Sequence, residues 1–346
     1  SDYNLFTDIK THNNTDDGIE FNSTSDFNSV VNHISYSNGN DGGEISVGDN
    51  KFIGFVSYSN GGAGLNEADF VSGARIFANT GRGIDFAATS QVIRQSVIFA
   101  NDGAEQIRLA ASDTNEIVNN TIVDGTDGIY LNSTSENNTV RNNVIMSMSE
   151  DGIDDDDGTT AETYNYFYNN IQDLDGGGGI AASSITGIDP AFYQYDSNDG
   201  AQVSGSASNL NILTDSSSSW TNNAYVNMGL QVAGGSCPAT TNLTKWYGIV
   251  GNSSTTLIVA PAFDAAPDTN CSYYITDFYI QSNTGTTTPL GQGAKHDGTT
   301  GNAGVNMGSR LEYVGNPDGT KNNTLQLAAN AAATTAGDTL TVTAIN

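Results

Sequence analysis

Basic side chains are scarce in this 346-residue chain: 11 Lys and Arg stand against 39 Asp and Glu, for a formal charge of −28. That balance excludes nucleic acid and anionic membrane as partners, because either needs cations to neutralise phosphates. Histidine is rarer still, and His12, His33 and His296 fall in no metal-ligand or nucleophile spacing. Apolar runs are only a few residues long, so neither a transmembrane span nor a signal peptide is expected, and no amphipathic helical period stands out. The chain opens on Ser1 rather than Met, which reads as a mature or processed product. Of the two cysteines, Cys237 and Cys271, either both are buried thiols or they form a disulfide. An acidic, lysine-poor, Thr- and Asn-rich composition looks secreted and favours the disulfide. Eight Asn-x-Ser/Thr matches, at Asn13, Asn22, Asn119, Asn132, Asn137, Asn242, Asn252 and Asn322, are what so Asn-rich a chain contains by chance.

What the chain does have is a repeat. Residues 115–153 state one unit almost twice: Ile117-Val118, Asn119-Asn120, Ile122-Val123 and Asp127-Gly128-Ile129-Tyr130-Leu131, then Val140, Asn142-Asn143, Val144-Ile145 and Asp151-Gly152-Ile153. Anchored on Ile19, Ile45, Leu65, Ile84, Ile107, Ile129, Ile153 and Ile180, the unit recurs every 19 to 27 residues. That is too short for a helical hairpin and suits one coil of a β-solenoid. Within a coil the period is two, so Ile129 and Leu131 point in while Tyr130 points out. Residues 1–18 read as the closing part of a coil, and the solenoid ends near 173–193, where Pro190 cannot donate to a ladder. Splitting the chain near residue 200 leaves 31 acidic and 7 basic residues before and 8 and 4 after, net −24 and −4. The acidity belongs to the solenoid.

The Asn-Asn-x-Ile and Asp-Gly-Ile-x-Leu coils, closed by Asp189-Pro190-Ala191-Phe192, resemble the right-handed parallel β-helix (pectate-lyase-like) superfamily over about residues 1–200. That resemblance implies architecture and is nearly silent on chemistry. After a Ser/Gly/Asn linker, Leu213-Thr214-Asp215 with Trp220-Thr221, Thr255-Thr256-Leu257-Ile258-Val259 and Pro267-Asp268 are similar to a small β module of bacterial and phage surface proteins, over 208–282. The expected fold is therefore all-β: a parallel β-helix of about seven coils (1–200), a disulfide-bearing β module (201–282), and a C-terminal β region (283–346). In that last region strands are expected at 310–314, 324–327 and 339–345, which either complete a sandwich with the module or stand apart.

Outward residues at equivalent positions form ladders, and one reads Glu20, Ser46, Asn66, Asp85, Arg108, Tyr130, Asp154, Ala181. Asp85 and Arg108 sit on adjacent coils as a surface ion pair. Asp85 and Asp154 lie three coils apart, about 14 Å, too far for a glycosidase dyad. The densest charge holds Asp151, Asp154, Asp155, Asp156 and Asp157, a candidate calcium set, since hard cations take carboxylate oxygens. Asp155 falls in a slot that is apolar elsewhere, so the strand is expected to turn outward after Ile153. Lyase chemistry would need an Arg or Lys base near calcium-binding carboxylates, and Asp154 with Arg108 and Arg141 is the nearest approach. Asn119-Asn142 and Asn120-Asn143 are expected as stacked amide ladders.

The leading reading is a non-catalytic extracellular or cell-surface subunit, self-assembling or adhesive. Leu5, Phe6 and Ile9 lie at one solenoid end, and Leu340, Val342 and Ile345 form an uncharged strand suited to pairing with it head to tail. A polysaccharide lyase or hydrolase is the alternative, and a carbohydrate-binding surface module the third.

Overall fold

The computed structural model describes residues 3–278 except 23–25, 46–48, 133, 157, 177–178, 182–183, 188, 191, 193–194, 199–202, 234–236 and 238–244. The strands expected beyond 283, with Leu340, Val342 and Ile345, lie outside the described residues, as do Asp157, Ser46 and His296.

Three parallel sheets run the length of a solenoid. Sheet A begins at Leu5–Thr7 and ends at Ala161–Thr163, sheet B runs from Lys10–His12 to Ile185–Thr186, and sheet C from Glu20–Phe21 to Gln172–Gly176. They hold 8, 9 and 8 strands, about one coil more than the repeat suggested. Strands of two or three residues give way to five-residue strands from Glu105–Leu109 onward in sheet C and from Thr121–Gly125 in sheet B.

Such short strands stack because each contributes one or two side chains to a continuous column. In sheet A these are Val30, Phe52, Val71, Ile93, Ile117 and Val140, and in sheet C Leu65, Ile84, Ile107, Ile129 and Ile153, each at most 1 % exposed. Each corner between sheets is turned by a residue in the left-handed region, Asn32, Asn119 and Asn142 among them. The next residue points inward with polar groups that its own coil cannot satisfy.

Stacking satisfies them. Between sheets A and B, Asn143 Oδ1 accepts from the backbone N–H (2.9 Å) and the amide (3.1 Å) of Asn120, while Asn165 Oδ1 accepts the same pair from Asn143 at 2.9 and 3.0 Å. Between B and C the ladder Asn14, Asn38, Asn60, Asn79, Asn101 repeats this pattern, and between C and A so do Asn4, Asn28 and Asn50. Asn119 and Asn142 are a correction. They hold the left-handed turn itself (φ 57° and 55°), and their side-chain polar atoms include buried ones without partners. Asn252 is buried with its amide nitrogen donating to the Thr221 carbonyl at 2.9 Å, which removes it as a glycan acceptor.

Asp155 is a second correction. The strand Asp151–Asp155 does not turn out after Ile153: Asp155 registers with Leu131 and is 4 % exposed. Its carboxylate accepts from the N–H of Gly158 (3.1 Å) and of Thr160 (3.4 Å). Glu162, in register with Val140, likewise ends the sheet A column, accepting from Asn165, Ser184 and the Ala181 N–H at 2.8, 2.6 and 2.8 Å. Hydrogen-bonded carboxylates thus close the apolar core at this end, where Asp155 is followed in register only by Gly176 and Glu162 lies on the last described strand of sheet A.

The second unit is a seven-stranded antiparallel sheet built from Asp196–Asn198 to Ser272–Thr276. One face covers its own core of Leu213, Leu230, Tyr247, Leu257 and Ile275, which includes the Cys237–Cys271 disulfide. That link spans 34 residues and contributes about 3–4 kcal/mol on a chain-entropy account. The other face, with Trp246 and Phe278, seats on the apolar outer side of sheet B, on Val97, Phe99, Val123 and Met146. Gly248 is required there, because a Cβ would stand 2.0 Å from Phe77 Cδ2. Arg75 donates to the carbonyls of Asn227 (2.6 Å) and Asp277 (3.2 Å), and the Trp246 N–H donates to Asp124 Oδ2 at 2.6 Å.

Ile129→Ala is expected to cost about 2–5 kcal/mol in urea unfolding, since both neighbouring coils pack against it; an unchanged midpoint would refute this register. Asn143→Ala should cost about 1–3 kcal/mol by stranding its ladder partners. Asn142→Gly should be neutral or stabilising, as it relieves a left-handed φ and removes an unpartnered amide. Equal losses at 142 and 143 would contradict the assignment of the ladder to Asn143.

Candidate functional site

The outward face of sheet C is organised by register. Its ladder reads Glu20, Glu44, Asn66, Asp85, Arg108, Tyr130, Asp154, Asp175. Glu44 and Asp175 thus replace the expected Ser46 and Ala181. Ile45 pairs with Phe21 rather than Ile19, because Gly42-Gly43 lets the chain approach the next coil: a Cβ on Gly42 would lie 2.2 Å from Ser57 Oγ. Leu174, not Ile180, continues from Ile153, and Ala181 instead donates to Glu162.

In the middle of the face the charges interlock. Arg108 grips Asp85 through Nε (2.7 Å) and a terminal nitrogen (2.8 Å), and Arg82 bridges Asp85 at 3.4 Å and Glu105. Arg141 is not part of this face: it lies on sheet A, paired with Glu116.

On either side carboxylates gather without a cation. Asp17, Asp41 and Glu44 bring one oxygen each within 4.8 Å of one another. Asp17 accepts from the Asp41 N–H (2.8 Å) and the Asn40 amide (2.9 Å), and Asp41 from the Ala63 N–H at 2.6 Å. Sharing a hydrogen bond with Asp17, then burial and the like charges of Asp17, Asp41 and Glu20, pushes the Glu44 carboxyl up to about 7. An all-oxygen set of this kind could hold a hard divalent cation such as calcium. At the other end burial first, then Asp156, Asp127, Asp151 and Asp175, raises Asp154 to about 6. Of the five aspartates expected to act together, Asp151 and Asp154 are half-buried and interact through their charges with each other and with Asp156, which accepts from the Tyr130 hydroxyl at 2.9 Å; Asp155 is inside, and Asp157 lies outside the described residues.

A third feature had no signal in the sequence. Where the B–C corner ladder stops at Asn101, Gly125 takes the next place, and the Gln106 amide fills the space its side chain would need. Along these coils a cleft of about 780 Å³ opens between the corner and the antiparallel unit, whose Lys245, Pro261 and Ala262 form its other wall. Asp124 lines it, and burial raises its carboxyl to about 6 against the opposing pull of the Trp246 N–H and Lys245. Lys245 itself is bound to Asp264 at 2.8 Å.

A family profile described as periplasmic copper-binding protein (NosD) matches residues 3–186, the whole solenoid. The chain belongs to the NosD family. No curated protein matches it. The chain is similar to two solved structures, both Azotobacter vinelandii mannuronan C-5 epimerase A-modules: that of AlgE6 (18 % identity, TM-score 0.49, covering 54 % of this chain and 59 % of that one) and that of AlgE4 (14 %, 0.35, 54 % and 62 %). The chain thus spans less than two thirds of either. The family's description and the disulfide accord with a location outside the cytoplasm, periplasmic or extracellular.

Copper takes imidazole, thiolate and thioether donors, and the described residues do not fit it. Both cysteines are in the disulfide, His33 is fully buried with Nε2 2.8 Å from the Thr11 hydroxyl, and His12 stacks on Tyr36 and contacts the Asn13 amide. Met146 and Met148 belong to apolar clusters.

A buried acid whose folded pKa is raised stabilises the fold fully only below its ordinary range, and that stability is lost as pH rises through the folded value. For Asp124 the window is about 4 to 6. Asp124→Asn keeps an acceptor for the Trp246 N–H without the charge. It should raise the thermal midpoint at pH 8 by about 3 °C and leave it unchanged at pH 4; an equal shift at both pH values would exclude Asp124 as the titrating group.

Proposed function

We propose that this protein is a non-catalytic, extracytoplasmic structural subunit, a rigid β-helix that presents its faces to other molecules and associates with copies of itself. One observation carries the reading. Of the groups that lyase chemistry at the sheet C carboxylates would draw on as base or acid, Arg108 is held by Asp85, Arg82 by Asp85 and Glu105, and Tyr130 by Asp156, while Arg141 is paired with Glu116 on sheet A. A base already neutralised by a carboxylate cannot take a proton. Self-association would draw on the apolar side chains of the first described coil, with Leu5 59 % exposed and Phe6 and Ile9 half-buried.

A polysaccharide-acting enzyme is the second reading, favoured by Asp154, Asp127 and Asp151, all held above the usual carboxylate range on one face. The two separate experimentally. Incubation with neutral and uronate polysaccharides should give neither new reducing ends nor unsaturated products absorbing in the ultraviolet. Sedimentation should show association that rises with concentration and weakens in Leu5→Asp. Turnover that disappears in Asp154→Asn would establish the enzyme instead.

A further inference from the structure

The cleft between the solenoid corner and the antiparallel unit lies beside the apolar contact that seats the unit and apart from the charged face of sheet C. It crosses five successive coils, from Thr80 through Asp102, Thr126 and Ser149 to Ile171. At about 4.8 Å per coil that is roughly 19 Å. A ligand site of this volume is usually lined by apolar and aromatic side chains. Here hydroxyl, amide and carboxylate side chains alternate with small apolar ones, Ala78, Ala100, Pro261 and Ala262, and Ile171, 81 % exposed, supplies an apolar edge at one end. The corner has this character because the asparagine ladder ends at Asn101: beyond it, amides that would have been spent on the next coil are replaced by Gly125 and Met148. On the cleft wall Asp124 Oδ2 accepts from the Trp246 backbone N–H, and no described group donates to Oδ1.

We infer that this cleft is a binding site for a neutral, linear, hydroxyl-rich chain, an oligosaccharide segment lying along the solenoid axis with a hydroxyl donated to Asp124 Oδ1. Neutrality follows from the charges on the walls. Asp102 and Asp124 face the ligand, and the Lys245 ammonium is already held by Asp264, so a uronate would meet carboxylates with no uncommitted cation among the described residues of the lining to receive it. The apolar edge at Ile171 suits the C–H face of a sugar ring, and the polar lining suits its hydroxyls. Binding here is distinct from the self-association of the first coil and rests on the non-catalytic reading only in that the bound chain is released intact.

The test is calorimetric titration of the whole chain with hexasaccharides of glucose, mannose and xylose and with a uronate hexamer, followed by mass analysis of the recovered sugar. At least one neutral hexasaccharide should bind, and the uronate at least tenfold more weakly. Ser149→Trp, which fills the cleft from an exposed position, should abolish binding, and Asp124→Asn should weaken it about tenfold, the worth of a hydrogen bond to a charged acceptor. Should Ser149→Trp fail to fold, Thr80→Trp serves the same purpose from the end of the cleft. No binding by any neutral hexasaccharide, equal or tighter uronate binding, or binding that survives the tryptophan would overturn the site. Cleaved sugar in the recovered ligand would instead overturn the non-catalytic reading and leave the site standing.

Discussion

Everything in the solenoid depends on the corner asparagines finding partners on the neighbouring coil. A coil of two- and three-residue strands cannot satisfy its own inward-pointing amides, and an unpaired buried amide is costly enough to offset much of the apolar burial of a coil. The Asn120–Asn143–Asn165 and Asn38–Asn60–Asn79 columns remove that cost by giving each Oδ1 a backbone and a side-chain donor from the adjacent coil. Register therefore follows from hydrogen bonding at the corners as much as from the apolar columns between them. A one-residue slip would break both.

The same constraint explains how the column ends. Where the next residue in register is Gly176, or sheet A has reached its last described strand, Asp155 and Glu162 occupy core positions, and nearby N–H and hydroxyl groups saturate their carboxylates. A carboxylate placed mid-column would be unsupportable, whereas at the end it turns the chain into the closing loop. The antiparallel unit answers a different problem. Sheet B is apolar on its outside as well as its inside through the middle coils, and a parallel sheet that is apolar on both faces needs a covering layer. Trp246 and Phe278 provide that layer, and the Arg75 and Asp124 hydrogen bonds set where it sits. The cleft beside Asp124 is a by-product of that seating.

Charge is distributed as the register dictates. Arg82 and Arg108 fall on adjacent coils and lock the middle of the sheet C face, while Glu44 and Asp154, one at either end, collect like-charged neighbours and are held above the usual carboxylate range. The face is therefore cationically silent and strongly anionic at both ends. A family described by copper binding is represented here by a chain whose preformed donors, among the described residues, are carboxylate oxygens.

The sequence by itself determined the coil: a period-two pattern of Ile, Val and Leu recurring every 20-odd residues is compatible with a β-solenoid and little else, and it placed Asp85 beside Arg108 and Cys237 with Cys271. It missed Glu44, two residues before the expected Ser46, and Asp175, six before Ala181, because the length of a corner sets the register without disturbing local alternation; at Glu44 the stacking of Gly42 against Ser57 and Gly64 decides which residue follows. It also sent Asp155 outward, since local pattern carries no information on whether N–H donors wait inside. Asn119 and Asn120 looked equivalent in the sequence, and only the left-handed φ of the first separates the turn residue from the ladder residue. The cleft was illegible for a plainer reason: its walls, Asp124 and Lys245, are 121 residues apart and are brought together by the docking of one apolar face on another, which no local pattern records.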